Sequence, residues 1–269
     1  MVRCYLETGL TTSQISYPFQ SGWLDAPDWL VLQDRVSTES IADERAVALV
    51  DAVDAARLLD THSVISDVAL VSTHRGPIAM RSSTRPDEIQ HATVQLGSVS
   101  STAEAVARAT VYHFYGIDVV DWVRSGQESD VTIRESVDAL VGASDGYSED
   151  LVRAWFILTS LALPTHLLIA PTQLVTEDQS GVEHVAGTLR SAVRASDDRR
   201  RELRRNVSDD LGIERELVTE FFNDQTTRLT RNGRKGWLDL VNRVARPLSL
   251  QPGPSPDVVS FGLSRDDQE

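Results

Sequence analysis

Short apolar runs alternate along this chain with polar turns and with stretches of helical period. Val2–Leu6, Trp29–Gln33, Ala46–Val50, Val64–Ser72, Ile78–Arg81, Thr93–Leu96, Val119–Val123 and His166–Ala170 read as strands, being short, β-branched and bounded by turn residues. Asp138–Gly142 reads as one more buried strand, and Val131–Ser136 as a surface piece. Helices fall between them. Gln14–Trp23 is bent at Pro18 and closed at Ser21-Gly22, a further helix opens at Thr38–Ala42, and another follows Asp51 to Leu59. An Ala-rich helix starts at Ala103, and Glu149–Thr159 carries Val152, Trp155 and Phe156 on one side. From Ser180 the pattern becomes wholly helical, over Val182–Ala195, Arg199–Leu211, Arg215–Asn223 and Arg234–Ala245, with Gly212 as a C-cap.

Strands alternating with helices predict an α/β fold with largely parallel sheets. Crossing segments near Ser83–Pro86 and Leu161–Pro164 enclose a self-sufficient block. The expected organisation is two lobes joined by two crossing strands, with a ligand cleft between them. Residues 1–83 and 165–250 form the first lobe, 84–164 form the second, and the Pro-, Ser- and Asp-rich 251–269 is a loose tail.

The 269 residues suffice for two lobes with real cores. A formal charge of −14 and a pI near 4.8 exclude a general nucleic-acid binder, whose footprint is basic. The Arg199–Arg205 cluster follows Asp197-Asp198 and reads as a solvated helix face. No apolar run approaches the roughly 20 residues of a membrane helix, and Met1–Leu6 carries no export-signal pattern, so a cytoplasmic protein is expected. The single cysteine, Cys4, excludes an internal disulfide framework, and the six histidines show no metal-ligand spacing. No cofactor motif is present, nor a nucleophile elbow or a phosphate loop. The expected partner is a small-molecule carboxylate, with no nucleic acid, membrane or cofactor, and the sequence sets no oligomeric state.

Four strand-to-helix turns carry short polar residues: Thr11-Thr12-Ser13, Asp51, Ser98–Thr102 and Ser144-Asp145. If each lobe contributes two, all four face one cleft, and backbone N–H groups at helix starts favour an anion there. Thr11, Thr12, Ser13, Ser98, Ser100, Ser101, Thr102 and Ser144 are the candidate substrate-binding residues. Arg75, beside Gly76-Pro77, is a candidate carboxylate clamp. Asp51 and Asp145 are either catalytic acids or simple N-caps.

The order of these turns resembles the type 2 periplasmic-binding-protein fold, and within it the menaquinone-biosynthesis family that includes chorismate dehydratase of the futalosine pathway. The resemblance rests on Tyr17–Leu24, on Ser66–Ser82 with its Arg75-Gly76-Pro77 turn, on Ser98–Gly116, on Asp138–Pro171 and on Glu216–Val244. The family's early Tyr-Leu-Asn motif is replaced here by Tyr5-Leu6-Glu7, which marks a divergent member. The resemblance implies a cofactor-free carbon–oxygen lyase acting on a carboxylated ring such as chorismate, with the substrate itself able to supply the base. The alternative is a non-catalytic binder or sensor of a small anion.

Overall fold

The computed structural model describes residues 2–41, 45–125, 128–142, 145–253 and 255–262. The first half of the chain forms β1 (Arg3–Glu7), α1 (Ser13–Gln20), β2 (Leu30–Gln33), α2 (Thr38–Ile41), β3 (Ala46–Asp51), α3 (Ala52–Arg57), β4 (His62–Ser72), β5 (Ile78–Ser82), β6 (His91–Gln95), α4 (Ser101–Tyr115) and β7 (Asp118–Val123). There follow β8 (Val131–Glu135), α5 (Val137–Leu140), β9 (Tyr147–Asp150), α6 (Leu151–Thr159), β10 (Leu163–Pro171), α7 (Thr172–Glu177), α8 (Gln179–Asp198), α9 (Arg200–Leu211), α10 (Arg215–Asp224), β11 (Gln225–Thr226), α11 (Arg231–Val244) and β12 (Val258–Val259).

These strands make two sheets. The first has the order β11-β4-β10-β3-β1-β2, with β12 also on β4; the second has the order β7-β6-β8-β5-β9. Both are mixed rather than largely parallel. Strands β1, β2 and β3 are mutually parallel, and so are β6, β7 and β8, but β10 runs against β3 and β4 and β5 runs against β8 and β9. Apart from the short β11, which also runs against β4, the antiparallel members are the crossing strands. Each enters its sheet from the other lobe, so its direction is reversed relative to strands fed by local helices.

Three expectations need correction. Because β5 already pairs in the second sheet, the first crossing is Thr73–Pro77 and not Ser83–Pro86. Val131–Glu135 is an inner strand of that sheet, and the expected strand at Asp138–Gly142 is the one-turn helix α5. The tail is tied down where it is described: β12 pairs with Val64-Ile65, and the Phe261 amide donates to Asp67.

The lobes share one core. Ala52 and Val53 of α3, Ala103 and Val106 of α4, Trp155 of α6 and Trp237 of α11 belong to a single buried apolar cluster. The Trp237 indole N–H donates to the Ala52 carbonyl at 2.8 Å, so the ring is anchored at its polar end as well. Helix α11 comes close enough here that a Cβ on Gly236 would lie 1.9 Å from the Ala162 carbonyl oxygen. Only glycine fits. At the first crossing, the Asp224 carboxylate accepts bonds from the Thr73 hydroxyl and from the amides of His74 and Arg75. These donors outweigh the cost of its burial and hold its pKa below the ordinary aspartate value.

Candidate functional site

A cleft of about 460 Å³ separates the lobes. One wall is built from the carboxyl ends of β1 and β3 with the loop after β1, and the other from the carboxyl ends of β6 and β8 with the Leu96–Ser100 turn. In open α/β sheets these ends present loops and helix N-termini to a ligand.

On the first wall, Thr11 and Thr12 line the cleft. Their loop is braced from behind by two glutamines: Gln225 donates to the Thr11 carbonyl at 3.0 Å and receives a 2.7 Å bond from Gln14. Thr12 occupies the N-cap of α1 without a side-chain capping bond, and its hydroxyl instead donates to Gly9. Ser13 turns away, its hydroxyl on the Leu10 carbonyl at 2.6 Å.

On the second wall, the first turn of α4 is already occupied. Ser100 is its N-cap, accepting from the Ala103 amide. The Ser100 amide and hydroxyl both donate to Glu135, each at 2.7 Å. The Thr102 amide and hydroxyl donate to Asp51 at 3.1 and 2.8 Å. Two of the protein's own carboxylates therefore take the donors expected to hold a ligand anion. Ser98 lines the cleft, whereas Ser101 and Thr102 do not.

Asp51 also caps α3, accepting from the amides of Val53 and Asp54 at 3.0 and 3.1 Å. Four donors thus converge on this carboxylate, and one pair of them comes from the opposite lobe. Burial, with Asp54 and Glu135 nearby, nevertheless pushes its pKa up to about 6, against the opposing pull of His166 and the Thr102 hydroxyl.

Directly across the β3–β10 ladder from Asp51 stands His166, a cleft-lining residue that is itself buried. Its Nε2 lies 3.8 Å from Glu7 Oε1, an ionic contact longer than a hydrogen bond. Its Nδ1 is buried with no partner among the described residues. Burial opposes a charge on this ring, but the carboxylates of Glu7, Asp51 and Glu135 overcome it and raise the pKa above the ordinary histidine value. Glu7 is oriented by the Val36 amide, which donates to its other oxygen at 3.3 Å. Sequence reasoning singled out none of Glu7, Glu135 and His166 as site residues. The available signals were a carboxylate ending the first strand and a polar ring inside an otherwise apolar run.

Two candidates lie elsewhere, and a third is not described. Arg75 sits at the first crossing, paired with Glu220 of α10 and away from the cleft, so it is no clamp for a ligand there. Asp145 is exposed between α5 and β9 and does not line the cleft. Asp145 therefore does not face the site, because α5 takes the place of the expected strand. Ser144 lies outside the described residues. Among the described residues no group of three or more His, Cys, Asp or Glu is arranged to hold a metal. Cys4 is buried in β1, its pKa pushed up to about 12 by burial, and is a core thiol.

Two mixed sheets, two crossings and a cleft at strand ends define a protein of the periplasmic-binding-protein fold. The solved structures it resembles agree. Protein AF1704 from Archaeoglobus fulgidus superposes with a TM-score of 0.66 at 15% identity, over 92% of this chain and 98% of that one. The alkanesulfonate-binding protein SsuA from Xanthomonas axonopodis pv. citri, bound to MOPS, gives 0.68 at 12% identity over 97% and 98%. The periplasmic aliphatic sulphonate binding protein SsuA from Escherichia coli gives 0.66 at 9% over 95% of each chain.

Residues 34–246 match the family model described as "Menaquinone biosynthesis", and the chain belongs to that family as a divergent member. No curated protein matches the sequence. No helix among the described residues is long and apolar enough to cross a membrane.

Proposed function

We propose that this protein is a cytoplasmic, cofactor-free carbon–oxygen lyase that removes water from a small carboxylated ring compound such as chorismate, in the cleft between its lobes. The observation that carries this reading is His166, a buried histidine lining the cleft with three carboxylates around it. The raised pKa favours the protonated imidazole, which suits a general acid. In the proposed step, the imidazolium gives a proton to the departing hydroxyl and the C–O bond breaks to release water. The adjacent C–H bond supplies the electron pair of the new double bond, and its proton passes to a carboxylate. Glu7 is the nearest carboxylate to the ring and the residue assigned that proton, which returns to His166 for the next turnover. Asp51, with all its contacts satisfied, is assigned a positioning role.

Purified protein with millimolar chorismate, followed by mass and ultraviolet absorption for a dehydrated aromatic acid, tests this. Turnover by the wild type that falls at least about a hundredfold in His166→Gln, at unchanged Kd, is the expected result. Binding of chorismate or MOPS without product would instead establish the non-catalytic role, and turnover that survives in His166→Gln would remove this residue from the chemistry.

A further inference from the structure

The first turn of α4 is filled from within, by Asp51 and Glu135, and the cleft floor around His166 is acidic. A ligand carboxylate needs other donors. Two guanidinium groups line the cleft, one from each lobe: Arg35, just after β2, and Arg134, on β8 beside Glu135. Both residues are exposed, and neither side chain has an ion-pair or hydrogen-bond partner among the described residues. Several other arginines are engaged: Arg75 with Glu220, Arg108 and Arg124 with Glu104, Arg190 with Asp67 and Arg243 with Asp239. Two unengaged guanidinium groups that line one cleft from opposite lobes supply the bidentate donors that a ligand carboxylate needs.

We infer that Arg35 and Arg134 are the carboxylate-binding residues of the cleft, holding the acid end of the ligand at its mouth from both lobes at once. The ring hydroxyl then points to His166 and the carboxylates around it. This orientation rests on the proposed lyase reading.

The test uses Arg35→Gln, Arg134→Gln and the double variant, all at exposed positions, with melting temperature as the folding control. Each single change should raise the KM for chorismate about tenfold with kcat within about twofold, the signature of lost uniform binding. The double change should cost about a hundredfold, and Arg→Lys at both positions should recover part of it. An unaltered KM in both single variants, with the wild type active, overturns the inference and leaves the lyase reading standing. If the wild type does not turn over chorismate, calorimetric titration with 3-hydroxybenzoate and 3-hydroxybenzamide decides the matter. Preference for the acid over the amide, lost in the double variant, upholds the arginine pair, and no preference overturns it.

Discussion

Among the helices that begin at the cleft, α1 and α4 come one from each lobe, and their first turns are in opposite conditions. The turn before α4 is rich in hydroxyls, and its donors at Ser100 and Thr102 are committed to Glu135 and Asp51. At α1 the N-cap Thr12 makes no capping bond, and the loop lines the cleft with its shape fixed from behind by Gln14 and Gln225. Both turns carry the same kind of residue. What separates them is the tertiary neighbour: a carboxylate from across the cleft fills the first, and none fills the second. A serine- and threonine-rich helix start thus reports donors, and only the fold reports whether they remain available.

The contrast can be broken most strongly at Asp51. Asp51→Ala removes the α3 cap and strands the buried donors of Thr102 across the lobe junction. A loss of about 3 kcal/mol is expected, read as a lower urea midpoint with an unchanged m value.

Thr102→Val deletes one bond to Asp51 and one accepted from the Val53 amide. It should cost about 1–2 kcal/mol in the same measurement.

Acidity offers a sharper view. Asp51 and His166 both bind protons more tightly in the folded state than in the unfolded one. Their contributions are therefore complete at low pH. That of Asp51 is lost as pH rises from about 4 through about 6, and that of His166 as pH rises past its ordinary range. Subtracting the pH–stability curve of Asp51→Asn from that of the wild type should reveal a decline between pH 4 and 6. A rise there would reverse the assignment.

The smallest effect is expected at α1. Thr12→Ala should change stability by less than about 1 kcal/mol, since its hydroxyl makes only a 3.3 Å bond within its own loop.

Much of the framework was legible. The strands now seen as β3, β4 and β10 stood out because they are buried along nearly their whole length and so read as runs rich in apolar and β-branched residues, and β1 stood out by its buried Cys4-Tyr5-Leu6. The long helices of the carboxyl-terminal third stood out by their period, and Gly212 adopts the left-handed conformation expected of a helix end. The failures were short elements. In β8 the alternation of buried Val131 and Ile133 with Thr132 and Arg134 was present, but five residues give it little weight. The run over Val137–Leu140 is equally apolar as a strand or as a single helical turn, and packing decided for the turn.

The site was legible where its logic is local. Asp51 before a helix is an N-cap in sequence and in structure, and Thr11, Thr12, Ser98 and Ser100 stand at turns that line the cleft. Its remaining members are assembled by register. His166 meets Asp51 because β10 returns antiparallel beside β3, and Glu7 joins them because β1 lies on the other side of β3. Glu135 reaches the α4 turn because β8 is inserted between β6 and β5. By itself the sequence determined the alternation of elements, the two-lobed class and the polar character of the turns, since these depend on neighbours a few residues away. Only the tertiary structure decided which donors are spent and which charges face the cleft. Those outcomes depend on strand order and on the reversed entry of β5 and β10, and no local pattern encodes either.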